Sequence, residues 1–273
     1  MPSLPETASL LKKNDPDHVE ALARGLSVLK AFSAHDRPLS VSDVAELVGI
    51  TRTAARRFIL TLEYLGYLSY DASGYSLRPA VLEIGDAYLL SHNLLAVAHP
   101  HLASLVQEVG ETASLTVLHQ GRVIYVDRVH ADRVLTANII IGTSLPAYAT
   151  ATGRVLLSGL TDEGLDEYLE SLVPESLTGY TAIDGEVIRK RITVAREQGW
   201  SLADQELAEG LRSIAVPVRD AGGGIIAALN VSAHATRVSS ESLRDTVLPR
   251  LLTAAAAVEK DFADDDWPAD VVL

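Results

Sequence analysis

The sequence predicts an α+β protein of two domains, a small helical one followed by a larger one with a mostly antiparallel sheet. Its 273 residues suffice for two domains of ordinary size. Apolar residues recur at helical spacing near the N-terminus, whereas the second half contains roughly six β-prone runs, several of which alternate apolar and polar residues. Helical patterns lie at both ends of those runs and in their middle, which favours the α+β class.

Composition narrows the class of protein further. Apolar residues make up 48% of the chain and charged residues 22%, which is typical of a globular protein with ample core. There are no cysteines, which excludes disulfides, thiolate zinc sites and cysteine nucleophiles. The first 18 residues hold no long apolar run, and no segment approaches the roughly 20 apolar residues of a membrane span. We therefore expect a cytoplasmic protein with no membrane partner.

The first two helices are indicated by spacing and by their ends. Residues 18–34 form the first helix, and Pro38 breaks the pattern. Ser40 stands where the second helix needs an N-cap, Asp43 is favourably placed in its first turn, and Gly49 ends it. The apolar positions that define the first helix are Val19, Leu22, Leu26, Leu29 and Phe32.

A third helix and a hairpin complete the first domain. Thr51 caps a helix that runs to about Leu65, and Gly66 stops it. Two β-prone runs flank residues 71–74, Asp-Ala-Ser-Gly, which is a hairpin signal. Residues 41–64 have the spacing of a helix-turn-helix, a motif that places its second helix in the DNA major groove. With the hairpin they predict a winged helix-turn-helix domain over residues 18–79, after a flexible tail of residues 1–17.

The third helix carries the predicted contacts to double-stranded DNA. A recognition helix presents its N-terminal residues to base edges, where Arg suits guanine and hydroxyls suit phosphate or base. The alternative is a solvated charged face on a helical core. Weaker phosphate contacts are predicted at Ser40, Ser42 and Arg78. The predicted contacts of the recognition helix are Thr51, Arg52, Thr53, Arg56 and Arg57.

The net charge of −13 does not exclude DNA binding, because of where the charge lies. Residues 18–82 hold seven basic and six acidic side chains, so the negative charge sits elsewhere. DNA affinity depends on local phosphate contacts, so a near-neutral head with one basic helix suffices if two heads act together.

The second half begins with a long amphipathic helix. Residues 80–98 are expected to link the domains and to pair with their twin in a dimer. His99-Pro100 is taken as the start of a second domain, residues 99–262, whose first helix ends at Gly110. An acidic tail, residues 263–273, follows. Strands are predicted over 112–120, 122–130, 134–141, 200–207, 212–220 and 225–234, with helices after Pro146 and near 162–171, 184–198 and 239–261.

From about Val19 to Phe262 the chain resembles the IclR family of bacterial transcriptional regulators. The resemblance is carried by the helix-turn-helix and by three further stretches. It looks closer still to the branch that regulates the β-ketoadipate pathway, through NIIIGTSLPAYATATGRVLL and DQELAEGLRSIAVPVRD. The three stretches are ALARGLSVLKAF, GTSLPAYATATGRVLL and EGLRSIAVPVRDAGGGIIAALNVS.

The resemblance implies a winged helix-turn-helix joined to a GAF-like effector domain. Family members act as homodimers or homotetramers and bind a small organic acid. For this branch the expected acids are protocatechuate, 4-hydroxybenzoate or β-ketoadipate. RNA polymerase is a further candidate partner.

The effector site is predicted around the loop from Pro146 to Gly153. Its helix has its first free amides near residues 150–152, which is a ready carboxylate site; the alternative is two ordinary capping threonines. The resemblance turns this loop, with Ala151 and Thr152, toward the ligand. It adds Leu145, Asp204, Ser213, Asn230 and Ser232.

The last three of these residues fall on predicted strands. Polar side chains there are costly to bury unless a ligand, a backbone group or water bonds them. Tyr148 and Arg154 are additional candidates, because an aromatic acid wants a ring neighbour and a bidentate cation. Arg154 can equally pair with an acidic surface neighbour, and Arg212 is similarly ambiguous.

No pattern of catalysis is found. The chain has no GxSxG elbow and no HExxH, and Gly222-Gly223-Gly224 lacks the Lys-Ser/Thr of a phosphate loop. We expect no enzyme activity, metal or cofactor. Two alternatives to an aromatic-acid regulator stay open. One is an IclR-type regulator of a glyoxylate or sugar-acid pathway, and the other is an effector-independent DNA-binding protein.

Overall fold

The computed structural model describes residues 17–33, 35, 37–85, 93–131 and 139–263. The chain divides into two compact units, Met1–Tyr88 and Leu89–Leu273. Among the described residues, no helix is both long and apolar enough to cross a membrane.

The first unit has the predicted winged helix-turn-helix architecture. Three helices surround a small apolar core to which Val28, Leu39, Val44 and Ile59 contribute fully buried side chains. A two-stranded antiparallel hairpin follows them. The elements are α1 Glu20–Ser33, α2 Val41–Val48, α3 Arg52–Tyr64, β1 Leu68–Asp71 and β2 Gly74–Leu77.

The helix ends of this unit form as predicted. Ser40 caps α2 in a capping box, in which its side chain accepts from the Asp43 amide and the Asp43 carboxylate accepts from the Ser40 amide. Gly49 ends α2 with a φ of 69°, the left-handed conformation that glycine adopts without a steric penalty. The Thr51 side chain caps α3 by accepting from the Ala54 amide.

The predicted linker helix lies partly outside the described residues. A 3-10 turn, Pro79–Val81, leads into helical residues 82–85, and residues 86–92 are not described. The next helix, α4 Asn93–Val109, runs through Pro100, so the predicted start of a new element at His99-Pro100 is wrong. The helix continues because its buried side chains extend across the proline without interruption, at Leu94, Ala98, Leu102 and Leu105.

The second unit is built on a six-stranded antiparallel sheet, as the sequence predicts. The strand order is β5-β4-β3-β8-β7-β6, so the first two long strands of the unit pair with the last two through β3 and β8. The strands are β3 Thr112–His119, β4 Arg122–Val129, β5 Ser144–Pro146, β6 Ser201–Asp204, β7 Leu211–Arg219 and β8 Ile225–His234.

One edge of the sheet differs from the prediction. Of the strand predicted over 134–141, residues 134–138 lie outside the described part, and 139–141 are not in a strand. The edge is formed instead by β5, which pairs with β4. A three-residue strand is too short for an alternating pattern to reveal it.

Helices cover both faces of the sheet. The helices after Pro146, near 162–171 and near 184–198 form as predicted, and the last helix begins with a turn at Ser240–Ser242 and a π-helical turn at Leu243–Val247. They are α5 Ala151–Leu157, α6 Asp162–Ser171, α7 Gly185–Gln198 and α8 Leu248–Ala263.

The two faces of the sheet have different partners. Helices α4 and α8 contact each other and the strands, α4 along β3 and β4 and α8 along β7 and β8. The short helix α5 contacts β7, β8 and β3, and its Val155 and Leu156 pack in one cluster with Ala215 and Ala228 of the sheet. We call the face that carries Ala215 and Ala228 the inner face.

Candidate functional site

In the first unit, α3 presents a basic surface to solvent. Ala55 and Ile59 on the opposite side are fully buried in the small core. Within the described ranges, no ion pair engages the three arginines of this surface, so their charges are free for another partner. The exposed residues are those predicted, namely Thr51, Arg52, Thr53, Arg56 and Arg57.

The weaker predicted contacts are also exposed. Ser42 lies on α2, and Arg78 follows the hairpin. The hydroxyl oxygens of Ser40 and Thr51 accept hydrogen bonds from the main-chain amides of Asp43 and Ala54, both at 3.2 Å. Each hydroxyl keeps its hydrogen for donation to a phosphate. This surface therefore offers guanidinium groups and hydroxyls, the chemistry that proteins use on DNA.

In the second unit, polar residues of neighbouring strands form rows on the inner face. Ser213 of β7 is paired with Ser232 of β8, and Ser232 is paired with Thr112 of β3. Asn230 is paired with Ser114 of β3 and with Ala215 of β7. Directly paired residues share a face, so these polar side chains lie on the same side as the apolar cluster beneath α5.

A narrow cavity opens at this face. The space between its walls reaches about 280 Å³ only when its opening to solvent is counted, and about 10 Å³ of it admits the centre of a water molecule. Ser213 and Ser232 are predicted residues that line it, and Thr150 is at the predicted loop. The remaining lining residues are Tyr125, Ala149, Ala203, Glu206, Leu207 and Leu211.

Two predicted residues at this face carry buried polar atoms that have no partner in the described part of the chain. Asn230 is 1% exposed; its Nδ2 donates to Ser232 Oγ at 2.9 Å, and its Oδ1 has no partner. The Thr152 hydroxyl is also buried and unpaired. Buried polar groups of folded proteins nearly always have a hydrogen-bond partner, so each unpaired atom is a candidate for a ligand contact.

The N-terminus of α5 is capped by a side chain of the loop itself. Thr150 caps α5, with its Oγ1 accepting from the Gly153 amide at 3.0 Å. Thr150 is therefore an ordinary capping threonine, the alternative given by the sequence, whereas the Thr152 hydroxyl caps no amide. Ala151 is fully buried, and Leu145 packs against the apolar cluster; neither residue lines the cavity.

Arg154 is engaged inside the protein. It is 2% exposed, and its guanidinium forms an ion pair with Glu206, which also pairs with Arg191. The other guanidinium nitrogens donate to the carbonyls of Tyr148 and Leu202, both at 3.2 Å. Burial lowers the pKa of Arg154, although Glu206 opposes that effect. Each of the three guanidinium nitrogens has a partner inside the protein, so Arg154 holds the loop against β6.

Tyr148 is likewise a structural contact. Its hydroxyl donates to the Glu175 carbonyl at 2.9 Å and accepts from the Glu175 amide at 2.8 Å. The side chain is 3% exposed. The hydroxyl thus fixes the segment after α6 and is occupied on both sides.

Asp204 of β6 lies on the opposite face of the sheet from Ser213 of β7. Ala203 is paired with Ser213, and Asp204 is paired with Arg212. The carboxylate accepts from Arg212 Nε at 2.6 Å and from Ser240 Oγ at 3.2 Å. Partial burial acts to raise the pKa of Asp204, but the hydrogen bonds from Arg212, Gln205 and Ser240 and the charge of Arg212 together outweigh it, and the pKa is lowered. Arg212 is therefore a partner of Asp204.

Three residues at this face were missed in the sequence. Ser114 and Tyr125 are buried on the inner face, and Arg128, 8% exposed, donates to Ser114 Oγ at 3.3 Å. Thr112, Ser114 and Thr116 alternate with apolar residues, a signal that could have revealed Ser114. Arg128 gives no such signal, because a β-bulge changes the alternation of β4 between Tyr125 and Arg128.

Protein-family models match both units. The model described as the IclR helix-turn-helix domain matches residues 21–72. The model described as the bacterial transcriptional regulator IclR C-terminal matches residues 86–260.

Curated relatives and a solved structure agree with this match. The Pca regulon regulatory protein of Pseudomonas putida is 41% identical over 242 residues, which cover 88% of this chain and 83% of that protein. The p-hydroxybenzoate hydroxylase transcriptional activator of Acinetobacter baylyi is 39% identical over 244 residues, 88% and 90% of the two chains. An IclR homologue from Microbacterium hydrocarbonoxydans, crystallised with 4-hydroxybenzoate, superposes with a TM-score of 0.77 at 24% identity, covering 90% of this chain and 100% of that one.

A winged helix-turn-helix with free arginines, followed by a domain with a polar cavity, defines the class of two-domain DNA-binding regulators. The chain belongs to the IclR family of bacterial transcriptional regulators. The resemblance drawn from the sequence is thereby confirmed, including its likeness to the β-ketoadipate branch, since these relatives are regulators of the Pca regulon and of p-hydroxybenzoate hydroxylase.

Proposed function

We propose that this regulator controls genes of aromatic-acid catabolism and responds to a small aromatic acid, such as 4-hydroxybenzoate or protocatechuate. The observation that carries the proposal is the row of buried polar side chains beside a small cavity, with unpaired atoms on Asn230 and Thr152. Two relatives about 40% identical, named for the Pca regulon and for p-hydroxybenzoate hydroxylase, support the pathway.

DNA recognition is assigned to α3. Its free guanidinium groups would reach base edges and phosphates, while the exposed hydroxyls add phosphate contacts. A homodimer or homotetramer would bring two heads to half-sites about 34 Å apart or a multiple of it. RNA polymerase is a further proposed partner where the protein activates transcription.

The residues that we propose to contact the acid are fewer than those predicted from the sequence. Thr152, Ser213, Asn230 and Ser232 supply polar groups, and Leu145 and Ala151 would act through the apolar cluster in which they pack. Tyr148, Arg154 and Asp204 have intramolecular partners and would act by holding the site in place. An acid would alter transcription by favouring one arrangement of the two units over another.

Replacing Arg56 and Arg57 with alanine should reduce affinity for a cognate duplex by about 100-fold or more, because each specific arginine contact contributes roughly 1–3 kcal/mol. It should also flatten the salt dependence, by about 0.9 in the log–log slope for each phosphate that the variant no longer neutralises. The measurement is fluorescence anisotropy with duplexes that the wild-type protein selects from a random-sequence pool.

The matched control is Arg24→Ala with Arg37→Ala, which removes the same charge from the same unit. Both of those arginines are already ion-paired, with Glu20 and Asp43. The control should keep most of its affinity. Equal losses in the two double variants would show that general charge, and not α3, governs binding.

A further inference from the structure

Arg128, Ser114 and Asn230 lie side by side on the inner face of the sheet. Arg128 of β4 is paired with Ser114 of β3, and Ser114 is paired with Asn230 of β8. The three side chains therefore form one row across three strands. All three are buried, with Arg128 8%, Ser114 0% and Asn230 1% exposed.

A bulge in β4 puts Arg128 in that row together with Tyr125. Leu115 is paired with Asp127, but Thr116 is paired with Tyr125, so Val126 has no opposite residue on β3. Residues three apart on a regular strand face opposite sides. The extra residue at Val126 brings Tyr125 and Arg128 to the same side.

Arg128 is a buried cation without a carboxylate partner among the described residues. Its Nη1 donates to Ser114 Oγ at 3.3 Å, and its Nε has no partner. Asp127, the neighbouring acid, accepts from the Arg128 main-chain amide and lies within 2.9 Å of His99 Nδ1. Burial lowers the pKa of the Arg128 guanidinium, which reflects the unfavourable free energy of that charge in its present surroundings.

Arg154 shows how this protein otherwise accommodates a buried guanidinium. It has a carboxylate and two carbonyls around it. Arg128 has a hydroxyl, and the ring of Tyr125, whose centroid lies 5.8 Å from its Cζ. An aromatic ring attracts a cation but accepts no hydrogen bond of the strength that a carboxylate gives.

The row adjoins the cavity. Tyr125 and Ser232 both line it, and they contact Arg128 and Asn230 respectively. The Asn230 amide can turn over, so that its carbonyl accepts from Ser232 and its NH₂ takes the place of the unpaired oxygen, on the same face of the sheet as Arg128. The Ser114 hydroxyl keeps its own hydrogen while accepting from Arg128. These groups would then supply only donors on that face.

We infer that Arg128, Ser114 and Asn230 form the anion-binding end of the effector site and bind the carboxylate of the acid. This assignment rests on the proposed function for the existence of an effector. It adds that the effector must carry a carboxylate, which Arg128 binds, and that the rest of the effector molecule lies along Tyr125. A guanidinium fork can bind both carboxylate oxygens at once.

The test compares 4-hydroxybenzoate with its neutral analogue 4-hydroxybenzamide by titration calorimetry on the full-length protein. The wild-type protein should prefer the acid by about 10- to 100-fold, as expected for a charge-assisted pair. Arg128→Met should lower affinity for the acid to that for the amide and leave amide binding unchanged. Arg219→Met, which removes an arginine bonded to the Gly223 carbonyl at the end of β7, is the matched control and should behave as wild type.

Arg128→Lys provides a second variant if the methionine variant does not fold. It keeps the charge and loses the fork, so it should bind the acid more weakly than wild type and still prefer it to the amide. Equal affinity of the wild-type protein for acid and amide overturns the assignment, as does an Arg128→Met variant with an unchanged preference.

Protocatechuate, β-ketoadipate, glyoxylate and gluconate separate this inference from the proposed function. If the wild-type protein binds only a non-aromatic acid and Arg128→Met abolishes that binding, the carboxylate assignment stands and the aromatic proposal fails. If it binds an aromatic acid and Arg128→Met binds it equally well, the proposed function stands and the assignment fails. Binding of none of these acids overturns both.

Discussion

Gly153 sets the path of the loop before α5 by having no side chain. A Cβ at this position would lie 2.1 Å from the Ala147 carbonyl oxygen and 2.4 Å from the Ala147 Cα. Both atoms belong to the main chain, which cannot move aside as a flexible side chain can. The close approach holds Thr150 and Thr152 at the inner face of the sheet.

Gly153→Ala should therefore destabilise the protein by about 1–3 kcal/mol or more, the range for overpacking a rigid core. Urea unfolding followed by circular dichroism measures the loss. The variant should also bind the effector more weakly, because the loop must shift to make room for the methyl group.

Gly185→Ala is the matched control. Gly185 opens α7, and no other atom lies within 4 Å of the place that an added methyl group would take. Alanine there should stabilise by about 0.4–1 kcal/mol, because it restricts the unfolded chain. A Gly153→Ala variant as stable as wild type would show that the contact with Ala147 relaxes without cost.

Individual residues could be predicted where a local pattern exposes them. Ser213 and Ser232 interrupt apolar strands, and both line the cavity. The sequence left two roles open for Arg154 and gave no sign that Tyr148 is bonded internally, because their partners Glu206 and Glu175 are distant in sequence. The position of Arg128 could not be predicted either, because regular strand alternation would place its side chain on the outer face of the sheet and the bulge places it on the inner face.

At the scale of elements, the start of α2 carries an ionisable group with a defined effect. The amide of Ser40 donates to the Asp43 carboxylate at 2.8 Å, and Arg37 donates to it as well. These bonds, the backbone bond first, lower the pKa of Asp43 to about 2 from 3.8. A carboxyl whose pKa is lower in the folded protein stabilises it above the unfolded pKa, and this contribution is lost as pH falls through the folded value.

We therefore expect the protection of the α2 amides to fall between about pH 4 and pH 2 in the wild-type protein. Asp43→Asn should be less protected at pH 7 and should approach wild type near pH 2, where the carboxyl becomes protonated. Hydrogen–deuterium exchange of residues 41–48, corrected for intrinsic rates, measures this. Glu46→Gln removes the same charge from the same helix and should leave the profile unchanged. An equal difference between Asp43→Asn and wild type at both pH values would rule out the charged carboxylate as the cause.

Caps and turns were the most predictable elements. Ser40, Gly49 and Thr51 act locally, so their roles depend on the few residues around them. The strand β5 and the continuity of α4 through Pro100 depend on tertiary packing instead. β5 exists because β4 offers it an edge, and α4 continues because a buried stripe extends across the proline.

At the scale of the whole molecule, the proposed function requires that binding of the acid by one unit and binding of DNA by the other be energetically coupled. If the acid changes duplex affinity by some factor, the duplex must change acid affinity by the same factor, typically about 5- to 150-fold. Titration calorimetry with the acid, with and without saturating cognate duplex, measures that factor.

The Arg56→Ala, Arg57→Ala variant serves as the control, since adding duplex should not change its affinity for the acid. Identical acid affinities of the wild-type protein with and without duplex would favour the effector-independent alternative. The architecture of both units was predictable, because each has its own pattern of apolar residues and turns. The way in which the units communicate was not, because no local pattern encodes a free-energy coupling between distant sites.

The bulge at Val126 has a consequence for how such a protein can diverge. If β4 paired regularly through Val126, without the bulge, Arg128 would lie three positions beyond Tyr125 on a regular strand, and its side chain would turn to the other face of the sheet although every residue kept its identity. A relative could thus retain the arginine in its sequence and still lose the acid. Natural selection for responsiveness would act on how β4 pairs with β3 as well as on which residues β4 contains, because the same residues paired without the bulge would give a regulator that no longer responds.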